Sequence, residues 1–287
     1  MVTCGLQDHA VSSSPLLWLN LICLDAPLVA ICWQWVFAHS FHLSVPVGRR
    51  AALFLTAWII YLADRFGDSV SLVAGQPKSA RQQFCLRHKS LWLAAIICVG
   101  IIDLIAILRA VNYETAVPGA VLGAFTITYV TINHAHSEIW KPVPLKEFTI
   151  GSLFAAGTLL GVTPHVFAER SPMIFAAILF AALCSLNCIS IAIWERDLDR
   201  IQRKHSIATR WPHANSLARL LLLLLLTGSV VIALFDAGAW PIALCLGASG
   251  LLLGALRFLP VSRDERTALA DIVLFTPFAL CIAEKIL

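Results

Sequence analysis

The feature that most constrains this chain is an apolar stretch of roughly 20 residues, the length that crosses a bilayer core as a helix, recurring from end to end. Stretches bounded by charge, Pro or Gly lie at about 16–40, 48–66, 90–110, 116–135, 147–167, 172–194, 216–235, 239–257 and 267–286. The composition agrees: 59% of the 287 residues are hydrophobic and 13% are charged, against about 25% charged in a soluble domain. Mean hydropathy is +0.81. In hydrocarbon every backbone polar group needs an internal partner, which leaves helix bundles and closed barrels, and spans this long select helices over the ten-residue alternating strands of a barrel. The expected fold is an all-α, polytopic membrane helical bundle of about nine transmembrane helices. No basic residue precedes Pro15, and the first stretch outlasts a signal-peptide core, so it reads as a retained span.

Charge placement orients the bundle. With the N-terminus cytoplasmic, the loops and flanks on that side carry 16 of the 21 Lys and Arg, leaving Arg49, Arg50, Arg109, Arg170 and Lys285 for the other face. That asymmetry follows the positive-inside rule and depends on the span number being nine. The two longest connections, about 67–89 and 195–215, fall together on the basic side as cytoplasmic cap loops, and no Gly, Ser or Pro-rich linker divides residues 1–287 into separate domains. The nine cysteines, from Cys4 to Cys281, form no CxxC and no zinc spacing, and read as small core residues. Basic charge confined to membrane-side loops gives no expectation of a nucleic-acid partner.

Chemistry is concentrated at two span ends. The second span closes in Asp64-Arg-Phe-Gly-Asp68 and the sixth in Glu195-Arg-Asp197-Leu-Asp199. Asp64/Asp68 and Glu195/Asp199 are each four residues apart, which puts each pair on one helix face with Cβ atoms about 5–6 Å apart. Mg²⁺ takes oxygen ligands and is commonly held by one or two carboxylates plus substrate phosphate oxygens. Asp64, Asp68, Glu195, Asp197 and Asp199 are therefore candidate metal ligands, and Asp64, Asp68, Glu195 and Asp199 candidate catalytic residues. Solvated helix ends account for either cluster alone. Both clusters, however, lie on one side, near the negative end of a helix dipole where a carboxylate is disfavoured. Arg65, Lys78, Arg81, Arg87, Arg203 and Lys204 surround them and suit a polyanion such as a diphosphate, although the positive-inside rule also explains basic loops. Asn187, two turns before Glu195, is a candidate to hydrogen-bond a phosphate or a metal-bound water.

Inside the spans an ionisable group costs about 2.5–3.5 kcal/mol for Asp. Asp25 could orient an acceptor or act as a base; Asp103 and Asp271 read as structurally paired. His134 and His136 point to different faces and make a poor metal pair, though one of them could exchange a proton. Trp58, Tyr61 and Trp194 flank the clusters and suit the membrane interface.

The order of these features resembles the UbiA superfamily of intramembrane prenyltransferases: nine spans, Asp-Arg-x-x-Asp ending the second, Glu-Arg-Asp-x-Asp ending the sixth, then Lys204-His-Ser206, with Leu24-Asp25-Ala-Pro27 in the first span. The resemblance implies a bundle around a cavity and Mg²⁺-dependent ionisation of a polyprenyl diphosphate, with the prenyl group passing to a lipophilic or aromatic acceptor. It aligns Asp64 and Asp68 with the later carboxylates of the family's first motif, and Glu195 and Asp199 with its second pair. Ile60 and Tyr61 stand where that first motif has its leading Asn and Asp. A terpene cyclase using the same ionisation, and a non-catalytic lipid-binding or transport protein, are the alternatives.

Overall fold

A computed structural model describes residues 15–135, 137–141, 145–162 and 171–286. His136, Arg170, Cys4 and residues 163–167 of the expected fifth span lie outside the described residues. In chain order the helices are α1 (Pro15–Leu21), α2 (Asp25–Ser40), α3 (Val47–Val70), α4 (Ala80–Arg87), α5 (Lys89–Ala110), α6 (Tyr113–Ala135), α7 (Lys146–Leu159) and α8 (Ser171–Trp194). They continue as α9 (Arg196–Ile201), α10 (Ile207–Arg210), α11 (Ala214–Phe235), α12 (Trp240–Ala255), α13 (Arg263–Ile272) and α14 (Thr276–Ile286). No strand occurs among the described residues.

Among the described residues six helices are long and apolar enough to cross a membrane: α5, α6, α8, α11, α12 extended to Phe258, and the Arg263–Glu284 unit that joins α13 to α14. The other three expected spans are helical but depart from that standard for separate reasons. The first is interrupted between α1 and α2. The second, α3, carries Arg49, Arg50, Asp64, Arg65 and Asp68. The described part of the fifth, α7, has 14 residues. Central and peripheral helices separate by burial, since half of the apolar window of α8 and of α12 is buried, against 17% for α5 and 11% for α6. Ile101, Leu104 and Leu108 on α5 and Phe125 and Ile127 on α6 are accordingly exposed, an outward apolar surface that suits lipid.

The core gathers α2, α7, α8, α11 and α12. Trp33 stacks on Phe180 at 4.5 Å, and Gly151 lets α7 approach α8 so closely that a Cβ there would lie 2.5 Å from the Ser185 backbone nitrogen. Where helices break, side chains take over the freed carbonyls. Trp58 Nε1 donates to the Ile22 carbonyl at the α1/α2 break (3.1 Å), and Trp33 Nε1 donates to the Leu274 carbonyl in the 3₁₀ turn between α13 and α14 (2.9 Å). Trp58 is thus a structural donor in addition to any interfacial preference.

Among the described residues three other than Gly have positive φ: Cys23 (57°), His42 (56°) and Arg203 (56°). Each follows a helix end whose next amide reaches back to close a Schellman turn, Leu24 N to Leu19 O (2.9 Å), Leu43 N to Ala38 O (2.7 Å) and Lys204 N to Asp199 O (2.8 Å). That closure satisfies an end carbonyl which would otherwise be orphaned. The turn at Cys23 starts α2 at Asp25, and the turn at Arg203 aims Lys204.

Candidate functional site

The last two turns of α3 form one wall of the site. Asp64 and Asp68 share a face, and His134 of α6 sits against both, with Nε2 3.2 Å from Asp64 Oδ1 and Nδ1 3.8 Å from Asp68 Oδ1. Gly67 makes this possible, because a Cβ at that position would lie 2.8 Å from His134 Nε2. The glycine between the two aspartates is therefore the space that the imidazole fills.

The second wall begins where α8 ends. Glu195 breaks the helix without losing its ladder, since its N–H donates to the Ile191 carbonyl (2.9 Å) and its own carbonyl accepts from Asp199 N (2.8 Å). The i, i+4 relation of Glu195 and Asp199 survives, and both are buried. Glu195 Oε2 accepts from Arg81 Nη2 at 2.6 Å, while its Oε1 is buried with no partner. The Asp199 carboxyl is pushed up to about 6, first by burial and then by the Glu195 charge, with the Ser206 hydroxyl and Lys204 pulling the other way.

The two walls are cross-linked reciprocally. Lys204, from the connection after α9, places Nζ 2.7 Å from Asp68 Oδ2 on α3. Arg81, from the connection after α3, takes Glu195. Each acidic stretch is thus neutralised by a base from the other's loop. A Ser79 capping box starts α4 and turns Gln82 toward α9, where Gln82 and Gln202 exchange amide hydrogen bonds of 3.2 and 3.0 Å. Gln202 Nε2 also donates to the Pro77 carbonyl (2.8 Å). A shallow recess lined by Asn20, Arg81, Glu195, Asp264 and Thr267 opens beside the second wall.

Several expected site residues lie elsewhere. Asp197 has a side chain 94% exposed and faces only Arg200 at 3.9 Å, because it falls on the outer side of α9 while Glu195 and Asp199 face inward. Its expected place in the ligand set is corrected accordingly. Asn187 donates to Asp271 Oδ1 at 2.9 Å and belongs to a different cluster, deeper in the bundle. Arg87 and Arg203 are exposed, and Lys78 Nζ contacts the Gln76 carbonyl at 3.5 Å. Arg65 lies within electrostatic reach of Cys23, Asp25 and Asp64. Two contributors went unpredicted. His134 was noticed as an ionisable group but not tied to Asp64 and Asp68, and Lys146, at the start of α7, acts electrostatically on both Asp68 and Asp199. Their convergence depends on tertiary packing, which leaves no mark in local spacing.

The donor set suits a hard cation at the second wall: an unpartnered buried Glu195 oxygen beside a carboxyl whose charge is opposed by that same glutamate. Among the described residues no three His, Cys, Asp or Glu side chains converge as a complete ligand set. An ion bound here would draw its remaining ligands from water and substrate oxygens, as Mg²⁺ commonly does. Comparison with protein-family models, curated proteins and solved structures finds no match to this chain.

Proposed function

We propose that this chain is an intramembrane enzyme of UbiA type with nine spans and a cytoplasmic N-terminus, which ionises a polyprenyl diphosphate and transfers the prenyl group to a lipophilic or aromatic acceptor. The observation that carries this reading is the reciprocal pairing of the two acidic stretches, Asp68 with Lys204 and Glu195 with Arg81. It brings four carboxylates and two cations, Arg81 and Lys204, to one end of the bundle. Asp64, Asp68, Glu195 and Asp199 would hold Mg²⁺, which when bound supplies positive charge to the departing diphosphate oxygens. Arg81 and Lys204, released from their carboxylates, would pair with the diphosphate itself. His134 would hold Asp64 and Asp68 in orientation.

A second reading is favoured by the same ion pairs. Lys204 and Arg81 already answer one carboxylate in each wall, so the cap closes on itself, as a lipid-binding protein without Mg²⁺ chemistry would require. One experiment separates the two. Full-length protein in detergent is incubated with a panel of prenyl diphosphates and Mg²⁺, with and without an aromatic acceptor mixture, and pyrophosphate is measured. Acceptor-dependent release that is lost in Asp64→Ala supports transfer, and acceptor-independent release with a cyclic product supports a cyclase. Wild-type silence across the panel, with lipid retained on the purified protein, moves the assignment to binding.

A further inference from the structure

Away from the cap, two carboxylates meet inside the bundle. Asp25 opens α2 after the Cys23 turn and is 1% exposed; Asp271 lies in the last turn of α13, before the 3₁₀ break, and is 7% exposed. Asn20 Nδ2 reaches both carboxyls, at 2.6 Å to Asp25 Oδ2 and 3.2 Å to Asp271 Oδ2. Asn187 Nδ2 donates to Asp271 Oδ1. None of the ion pairs within 4 Å among the described residues involves either aspartate.

The charges here do not balance. Two buried carboxylates face one guanidinium, that of Arg65, which also faces Asp64. The other titratable groups facing the pair are Tyr61 of α3, Cys23 and Cys188 of α8, all ordinarily neutral. A net negative charge held among apolar helices is too costly to leave unanswered. Asn187 supplies the independent sign of a ligand: its side chain is 6% exposed, its Nδ2 is spent on Asp271, and its Oδ1 is buried without a partner. Oxygen donors set between two interrupted helices are the arrangement by which membrane proteins hold small cations at depth.

We propose that Asp25, Asp271 and Asn187 bind one monovalent cation, a sodium ion or a proton, within the helical bundle. A proton lies between the two carboxyl oxygens; a sodium ion takes one oxygen from each aspartate and Asn187 Oδ1. The proposal is independent of the prenyl-transfer reading, since its test uses no diphosphate.

The test is thermal unfolding of full-length protein in detergent at pH 8, in NaCl, KCl or choline chloride at equal ionic strength, together with the infrared carboxylic-acid band. In the sodium case NaCl raises Tm by about 5 °C over choline, and Asp271→Asn loses that gain. In the proton case Tm is indifferent to the cation, and a protonated-carboxyl band present at pH 8 is lost in Asp25→Asn or Asp271→Asn but kept in Asp103→Asn and in Glu147→Gln, which remove the other buried carboxyls of the expected spans. Should the Asp25 and Asp271 variants not fold, a sodium response that survives Glu195→Gln, or a band that persists when Asp103→Asn and Glu147→Gln are combined, still decides for the site. No cation response and no such band would overturn it.

Discussion

Asp68 and Asp271 are both aspartates in the last turn of a helix, yet they have opposite surroundings. Asp68 keeps 33% of its side chain accessible and takes a lysine from a distant loop as its partner. Asp271 is 7% exposed and is answered by two asparagine amides, that of Asn187 and that of Asn20, which it shares with Asp25. At the cap, water helps to solvate both partners, so opposite charges can pair and part at small cost, as a group that must trade its partner for a substrate requires. Inside the bundle a charged pair would have to repay a large desolvation penalty, and neutral amides do the work. The difference separates a site built to exchange partners from one built to hold a charge still.

The sharpest way to break this comparison is to neutralise the cap. Asp64→Asn or Asp68→Asn is expected to lower pyrophosphate release about 10²–10³-fold, the usual cost of removing one group that stabilises developing charge, with Tm moved by less than about 2 °C because both side chains are partly exposed. Equal losses of activity and stability would show that these carboxylates only brace the fold.

Asp199 offers a test by pH. Its carboxyl is raised from the ordinary 3.8 to about 6, so between those values the folded state retains a proton that the unfolded chain has lost. The contribution of Asp199 to stability is therefore greatest below about pH 4 and declines as pH rises to about 6, by an amount on the order of 2 kcal/mol. Thermal unfolding in EDTA should show this decline, Asp199→Asn should flatten it, and Mg²⁺ should flatten it in the wild type if the second wall binds the ion. A difference between wild type and Asp199→Asn that rises with pH over this interval would mean that burial and the Glu195 charge do not hold the Asp199 carboxyl up.

For the buried cluster, Asn20→Ala removes both of its amide bonds and leaves two carboxyl oxygens short of a donor. An unfolding cost of about 1–3 kcal/mol is expected, read as a fall in Tm, with Asp197→Ala as a surface control within about 0.5 kcal/mol.

How much of this was legible in the sequence depends on the range of the interaction. Asp64 and Asp68, or Glu195 and Asp199, share a face by helical period alone, and that survives even the helix break at Glu195. The six long apolar helices follow from composition. The interruption of the first span at Cys23 was not legible, because a Schellman turn closed by a cysteine lacks the glycine that usually announces it. Nor could spacing assign Asn187, which lies near the face of Glu195 on paper but turns to Asp271, 84 residues away. The fit of His134 over Gly67 is likewise a meeting of two distant helices, foreshadowed only by a glycine standing between two aspartates.

The smallest expected effect concerns the link that closes the cap. A double-mutant cycle on Asp68→Ala and Lys204→Ala should give a coupling of about 0.5–1 kcal/mol in low salt, since the side chains are 33% and 22% accessible and each keeps some water when the other is removed. The coupling should shrink as salt rises toward 1 M, where the screening length falls to about 3 Å. It should also shrink when inorganic pyrophosphate and Mg²⁺ are added, because Lys204 would then have a second partner. A coupling of several kcal/mol, indifferent to salt and to pyrophosphate, would place Asp68 with Asp271 among the fixed charges and remove the distinction between the two regions.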